Sequence, residues 1–176
     1  MPIADHLPVL QVAIPLIAAP ICALMPRPQL AYGFAILTAW VTLLISLCLL
    51  MQVLAGGPIV YRLGGWAPPW GIVYVIDPLN ALILVLVAGM GAVVMPSVHL
   101  GISVEVTPRA RRLFYAVALL ALTGMFGILV TGDVFNLYVF LEISSLASYA
   151  LIAMGSDRRS LPAAFNYLVQ GTIGAT

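Results

Sequence analysis

A single carboxylate, Glu142, stands about halfway along TGDVFNLYVFLEISSLASYAL (131–151), a run that is otherwise apolar, aromatic or small and hydroxylated. At 100° per residue, Phe135, Tyr138, Glu142, Ser145 and Tyr149 fall within about 60° of one direction and form a stripe on one helix face. An acid at membrane depth costs on the order of 2.5 to 3.5 kcal/mol even on a lenient insertion scale, so something must hold it there. Desolvation favours the neutral carboxyl, which leaves two readings. In one, Glu142 stays protonated and hydrogen-bonds to Tyr138 or Ser145 as interhelical glue. In the other, a carboxyl whose affinity for protons is lifted by burial carries protons, with Tyr138, Ser145 and Tyr149 supporting it. Arg158 and Arg159 are at least 16 residues downstream, about 24 Å along a helix, too far to neutralise it. The back of the same helix carries Ser144 and Ser148 beside Ala147, a pattern of small residues that permits close helix packing.

The other titratable residues offer less. Asp133 caps the helix that follows it and is a candidate for ion entry, while Gly132 offers a left-handed end to the preceding helix. Asp77 before Pro78 reads as a cap followed by proline at the first helical position. His99 is a candidate proton exit at the far end of its span, although a lone interfacial histidine is more often simply solvated. Cys22 and Cys48 both lie in apolar runs and read as small hydrophobic residues. No glycine-rich phosphate loop, metal-ligand cluster or nucleophile triad occurs, so neither a cofactor nor a metal is expected, and no covalent chemistry.

The elements that must position these residues follow from composition. The chain of 176 residues is 63% hydrophobic and only 7% charged, with a mean hydropathy of +1.14, which excludes an ordinary soluble domain. A hydrocarbon core of about 30 Å requires about 20 apolar residues of helix. That length is met by five spans, at approximately 8–25, 30–54, 78–100, 113–130 and 134–154. A sixth begins near Leu161, with Ser160 as its cap and Pro162 in its first turn, and reaches residue 176 before it could cross. The expectation is an all-α polytopic membrane protein forming one membrane domain over 1–176, the N-terminal part of a longer subunit. Between the second and third spans, two β-prone runs flank a Gly/Trp/Pro-rich turn, which predicts an extramembrane hairpin. Trp66, Trp70, Tyr61 and Tyr74 there suit the headgroup level.

Topology is read from the arginines. Alternating spans put loops one, three and five on one face, and these hold Arg27, Arg109, Arg111, Arg112, Arg158 and Arg159, six of the seven arginines. That face is expected to be cytoplasmic, with the N-terminus, the hairpin and the TGD turn outside. The N-terminus lacks a basic region and carries Asp5, so it reads as a true span in the cell membrane and not as a cleaved signal. A net charge of +1 gives no reason to expect nucleic acid.

Three segments carry a resemblance. YRLGGWAPPWGIVYVIDPLNALIL, GMFGILVTGDVFNLYVFLEISSLASYALIA and AAFNYLVQGTIGAT together resemble the proton-conducting membrane transporter family: the large subunits of Mrp-type sodium/proton antiporters and the antiporter-like subunits of respiratory complex I and membrane-bound hydrogenases. The second segment is the most specific, and its style is similar to the D subunit of Mrp antiporters. The resemblance implies a protein of roughly fourteen helices with inverted five-helix repeats, the first beginning near 113. It also implies that Glu142 is the family's membrane glutamate, paired with a lysine on the seventh helix, beyond residue 176. MPSVHLGISVEV departs from the family pattern at His99. The implied function is a subunit of a multisubunit Na+/H+ antiporter that moves protons and monovalent cations. The alternative is a proton-pumping subunit of an NADH-quinone oxidoreductase or hydrogenase-type complex, and a purely structural anchor is the third reading. Either transporter reading implies other membrane subunits as partners.

Overall fold

A computed structural model describes residues 3–66, 71–107 and 110–175. Five helices in it are long and apolar enough to cross a membrane. They are α1 (Leu7–Leu24), α2 (Pro28–Gly56), α3 (Pro78–Glu105), α4 (Arg111–Val130) and α5 (Val134–Ala153), and a shorter α6 (Ser160–Ala175) follows. Two short strands, β1 (Ile59–Arg62) and β2 (Val73–Ile76), stand between α2 and α3 and pair antiparallel, with Tyr61 opposite Tyr74. The expected hairpin is present. Trp66 is exposed beside it, and Trp70 lies outside the described residues.

Each of the first four helices buries a stripe set by the 3.6-residue period. On α1 it comprises Pro8, Gln11, Val12, Pro15, Ala18, Ala19 and Cys22. Packing runs from α1 to α2 and α4, from α2 to α3, and from α4 to α5. Two apolar clusters result. Val12, Leu49, Ile76, Leu84, Phe126 and Val130 fill the end nearest the hairpin. Ala18, Ala31, Ala35, Leu119 and Tyr115 fill the opposite end, where alanines let the backbones approach closely. Cys22 is buried in that second cluster and Cys48 faces outward, both as free thiols.

The loops sort to two ends as the alternation of spans requires. At one end the Arg112 guanidinium donates to the Met25 carbonyl at 3.3 Å, and the Ser156 amide donates to the Glu105 carbonyl at 2.9 Å, tying loops one, three and five together. Arg109 lies outside the described residues. At the other end His6 Nδ1 is 2.8 Å from the Tyr61 hydroxyl. There, too, the Gly132 amide donates to the Val73 carbonyl at 2.8 Å, and Thr131 forms a bridge with Tyr74.

Several local expectations change. The residue that ends α4 is Thr131 in extended conformation, and Gly132 is not left-handed. Its lack of a side chain serves close approach instead, because a methyl group there would lie 2.7 Å from Val75 Cγ2. Tyr74 is 4% exposed and so is not a headgroup-level ring; burial raises the pKa of its hydroxyl. α3 runs on to Glu105, past the expected end at 100, because Ile102 and Val106 are buried against the second cluster. α6 includes Ser160 as its first residue, and its start is braced by the Arg159 amide donating to Asp157 Oδ1 at 3.0 Å.

Asp77 behaves as its position before Pro78 suggests: its carboxylate accepts from the Asn80 amide at 2.7 Å, and Pro78 occupies the first turn. Asp77→Ala is expected to cost about 1 kcal/mol, seen as a melting temperature a few degrees lower for the purified protein in detergent. An unchanged melting temperature would mean that water replaces the cap without penalty.

Candidate functional site

The α4–α5 hairpin positions Glu142. Asp133 begins α5, its carboxylate accepting from the Phe135 amide at 3.2 Å, and only Thr131, Gly132 and Asp133 separate the two helices. Their seam is unusually close. A methyl group at Gly124 would lie 2.6 Å from the Ser144 nitrogen, and one at Gly127 would clash with the Phe140 ring. Asn136, Phe140 and Ala147 are buried on this side of α5, so the small-residue back of the helix packs as its pattern suggests.

The close packing of one face turns the other outward. Glu142 lies about 12 Å along α5 from its first residue, near the helix midpoint, and is half-buried. Phe135 is 74% exposed and Tyr138 51%, while Ser145 is half-buried. Among the described residues Glu142 makes no hydrogen bond or ion pair. Neither Tyr138 nor Ser145 therefore supplies the bond that a permanently protonated glue would need. Tyr149 is the member of the stripe that the fold engages: its ring meets Tyr167 of α6 edge to face at 5.0 Å, and its hydroxyl lies against Gly171. α6 thus approaches the stripe from the Tyr149 end.

The structure separates His99 from this stripe. α3 and α5 both start at the hairpin end, and counting residues places His99 on the order of 20 Å further along the bundle axis than Glu142. There its Nδ1 is 3.1 Å from the Tyr115 hydroxyl, and its ring stacks on Tyr32 at 4.3 Å. The Tyr32 hydroxyl in turn donates to the Pro96 carbonyl at 3.2 Å. His99 is therefore an aromatic-clamped residue at the arginine end. Asp133 has its capping role, and ion entry would be an additional one.

Two buried amides escaped the sequence reading. Among the described residues Asn136, 6% exposed, has no partner for Nδ2, and Gln11, 0% exposed, has none for Oε1. The signal is present in the sequence, because a primary amide inside an apolar helix needs a hydrogen-bonding partner wherever that helix packs.

No family model matches the chain. It is 47% identical over 175 residues to the N subunit of an NADH-quinone oxidoreductase from Desulforudis audaxviator, with 97% of this chain and 34% of that protein aligned. It is 36% identical to the putative antiporter subunit mnhD2 of Staphylococcus haemolyticus, covering 97% of this chain and 34% of the relative. With the D subunit of the Na(+)/H(+) antiporter of Alkalihalophilus pseudofirmus the identity is 32%, over 94% of this chain and 33% of the relative. Among solved structures, it matches the membrane-bound sulfane sulfur reductase, an archaeal respiratory membrane complex, with a TM-score of 0.86 and 30% identity, covering 97% of this chain and 35% of that one. A match to the Mrp complex from Dietzia sp. DQ12-45-1b has a TM-score of 0.85 at 24% identity, covering 99% and 33%, and shows the fold. The chain spans about a third of the length of these relatives.

Proposed function

As a homologue, along nearly all of its length, of the N-terminal third of the D subunits of Mrp-type antiporters and of the N subunit of NADH-quinone oxidoreductase, the chain is, we propose, the part of a cation- or proton-translocating membrane subunit that supplies a membrane glutamate as proton relay. The observation that carries this reading is Glu142 itself. It is a half-buried acid near the middle of an apolar helix, on a face that the described bundle leaves without a hydrogen-bonding partner. A carboxyl exists in a neutral and a charged state, and it takes up or releases a proton in passing between them. Alternation between those states moves a proton. The lysine implied by the resemblance would be the residue whose charge drives the exchange, and the first of the implied inverted repeats would begin with α4.

The assembly is either an Mrp-type antiporter or a redox complex. The style of the α5 segment supports the first. The 47% identity to an N subunit of NADH-quinone oxidoreductase, against 36% and 32% for the antiporter subunits, supports the second. In either case the partners are other membrane subunits and this chain performs no covalent step. The separating experiment uses the complete native complex in everted vesicles carrying an imposed pH gradient. Dissipation of the gradient by added Na+ without any electron donor is the antiporter outcome. Proton movement that requires electron transfer from a donor to the complex's own acceptor is the redox outcome. If the intact complex moves protons under neither condition, the transport reading fails.

The six arginines in loops one, three and five support an orientation with that face cytoplasmic and the N-terminus outside. Single cysteines replacing Arg158 in a cysteine-free background are expected to be shielded from an impermeant thiol reagent in intact cells. A cysteine replacing Arg62, on β1 at the opposite end, is expected to be labelled. Labelling of the first and not the second would reverse the assignment of the N-terminus to the outer face.

A further inference from the structure

The seam between α1 and α2 carries a second buried polar feature, remote in sequence and in chemistry from Glu142. Gln11 of α1 is 0% exposed, and its Nε2 donates to Ser46 Oγ on α2 at 2.9 Å. The Ser46 hydroxyl donates to the Thr42 carbonyl at 2.9 Å, and the Thr42 hydroxyl to the Ala39 carbonyl at 2.8 Å. Both protons are thereby used within α2, and among the described residues Gln11 Oε1 is left buried with no hydrogen-bond partner. Turning the amide over exchanges its two ends without pairing both, because Ser46 faces only one of them. The main chain of the same residue adds to this. Pro15 lies inside α1 four residues on and has no N–H to close the helical bond to the Gln11 carbonyl.

Leaving a buried amide unpaired is costly against the small net stability of a domain. What can relieve it is limited by size. Gln11 is enclosed by this chain's own helices, so a large group has no access to it, and a water molecule is the smallest species that could pair with it. A cleft of about 420 Å3 opens nearby at the hairpin end, lined by Asp5, His6, Pro8, Gln52, Gly57 and Tyr61. Pro8, one of its lining residues, is three residues before Gln11 on the buried face of α1, about 4.5 Å along the axis.

We propose that Gln11, with Ser46 beside it, forms a buried water-binding site at the α1–α2 seam, supplied from the cleft at His6 and Tyr61. Water fits where a cation does not. It serves as donor to an amide oxygen or as acceptor from an amide nitrogen, so it satisfies Gln11 in either orientation, and it brings no charge into a site without an acid. The site hydrates the seam and does not conduct protons through it, because the hydroxyl protons of Ser46 and Thr42 are committed to main-chain carbonyls.

The test is a pair of high-resolution cryo-electron-microscopy maps of the complete native complex, one in sodium buffer and one in choline buffer, with a third map of Gln11→Met. Methionine fills a similar volume and offers no comparable hydrogen bond. The expected result is a density peak about 2.7 to 3.2 Å from the Gln11 amide, equal in both buffers and lost in Gln11→Met. Three outcomes overturn the proposal: no peak at the amide in either buffer, a peak that disappears when choline replaces sodium, or a peak that persists unchanged in the variant. If Gln11→Met fails to assemble, the two native maps still decide, since a peak common to both supports water and its absence or sodium dependence refutes it.

Discussion

Glu142→Gln is expected to abolish proton-coupled transport by the complete complex while leaving the complex assembled. Glutamine keeps the length, the planar head and the hydrogen-bonding capacity of a protonated glutamate but cannot ionise, so it tests charge alone. Loss should be about a hundredfold or more, the scale on which removing a positioned proton-transfer group acts. Assembly should survive because the carboxyl makes no hydrogen bond or ion pair among the described residues, so a replacement of the same shape breaks no polar contact there. Glu142→Asp keeps the titration and withdraws the carboxyl by about one methylene, and partial activity is expected where water bridges the gap. A structural glutamate would give the reverse order, with glutamine nearly normal and aspartate impaired. The measurement is the rate of pH-gradient dissipation in everted vesicles holding matched amounts of assembled complex, driven by whichever of cation or electron donor powers the native protein. Native rates in Glu142→Gln would falsify the relay.

Gly127→Val should have the largest effect on folding. The Phe140 ring of α5 occupies the space a side chain at 127 would need, and both residues are buried in the α4–α5 seam. The ring cannot withdraw without opening the hairpin that positions Glu142. Overpacking of this kind costs about 1 to 3 kcal/mol or more, enough to change the folded fraction of a marginal protein by roughly tenfold to a hundredfold. A sharply lower yield of assembled complex is therefore expected, with Gly127→Ala intermediate. Combining Gly127→Val with Phe140→Ala should recover part of the loss, because the cavity left by the ring accepts the added methyls. Failure of that rescue would show that the seam is not what limits folding.

The separate parts of this protein were legible in the sequence to different depths. Spans, hairpin, caps and the grouping of the arginines are local or periodic properties. A run of about 20 apolar residues has no stable alternative in a bilayer to a helix that satisfies its own backbone, so five spans followed from composition. Asp77 and Asp133 cap because carboxylates pair with free amides wherever a helix starts. Glu142 was conspicuous for the same kind of reason, since an acid in an apolar helix is costly wherever that helix packs. What the tertiary structure alone decided concerns which surfaces meet. Gly132 is a glycine because β2 passes against it, Tyr74 is buried because the hairpin folds back on the TGD turn, and α3 continues to Glu105 because Ile102 and Val106 find a core. His99 acquires Tyr32 and Tyr115, residues on two other helices, as its neighbours. Gln11 becomes an unpaired buried amide because α1 and α2 place a single hydroxyl, Ser46, against it. These contacts join residues that are far apart along the chain, and no propensity or period of one segment encodes the surface that another will present to it.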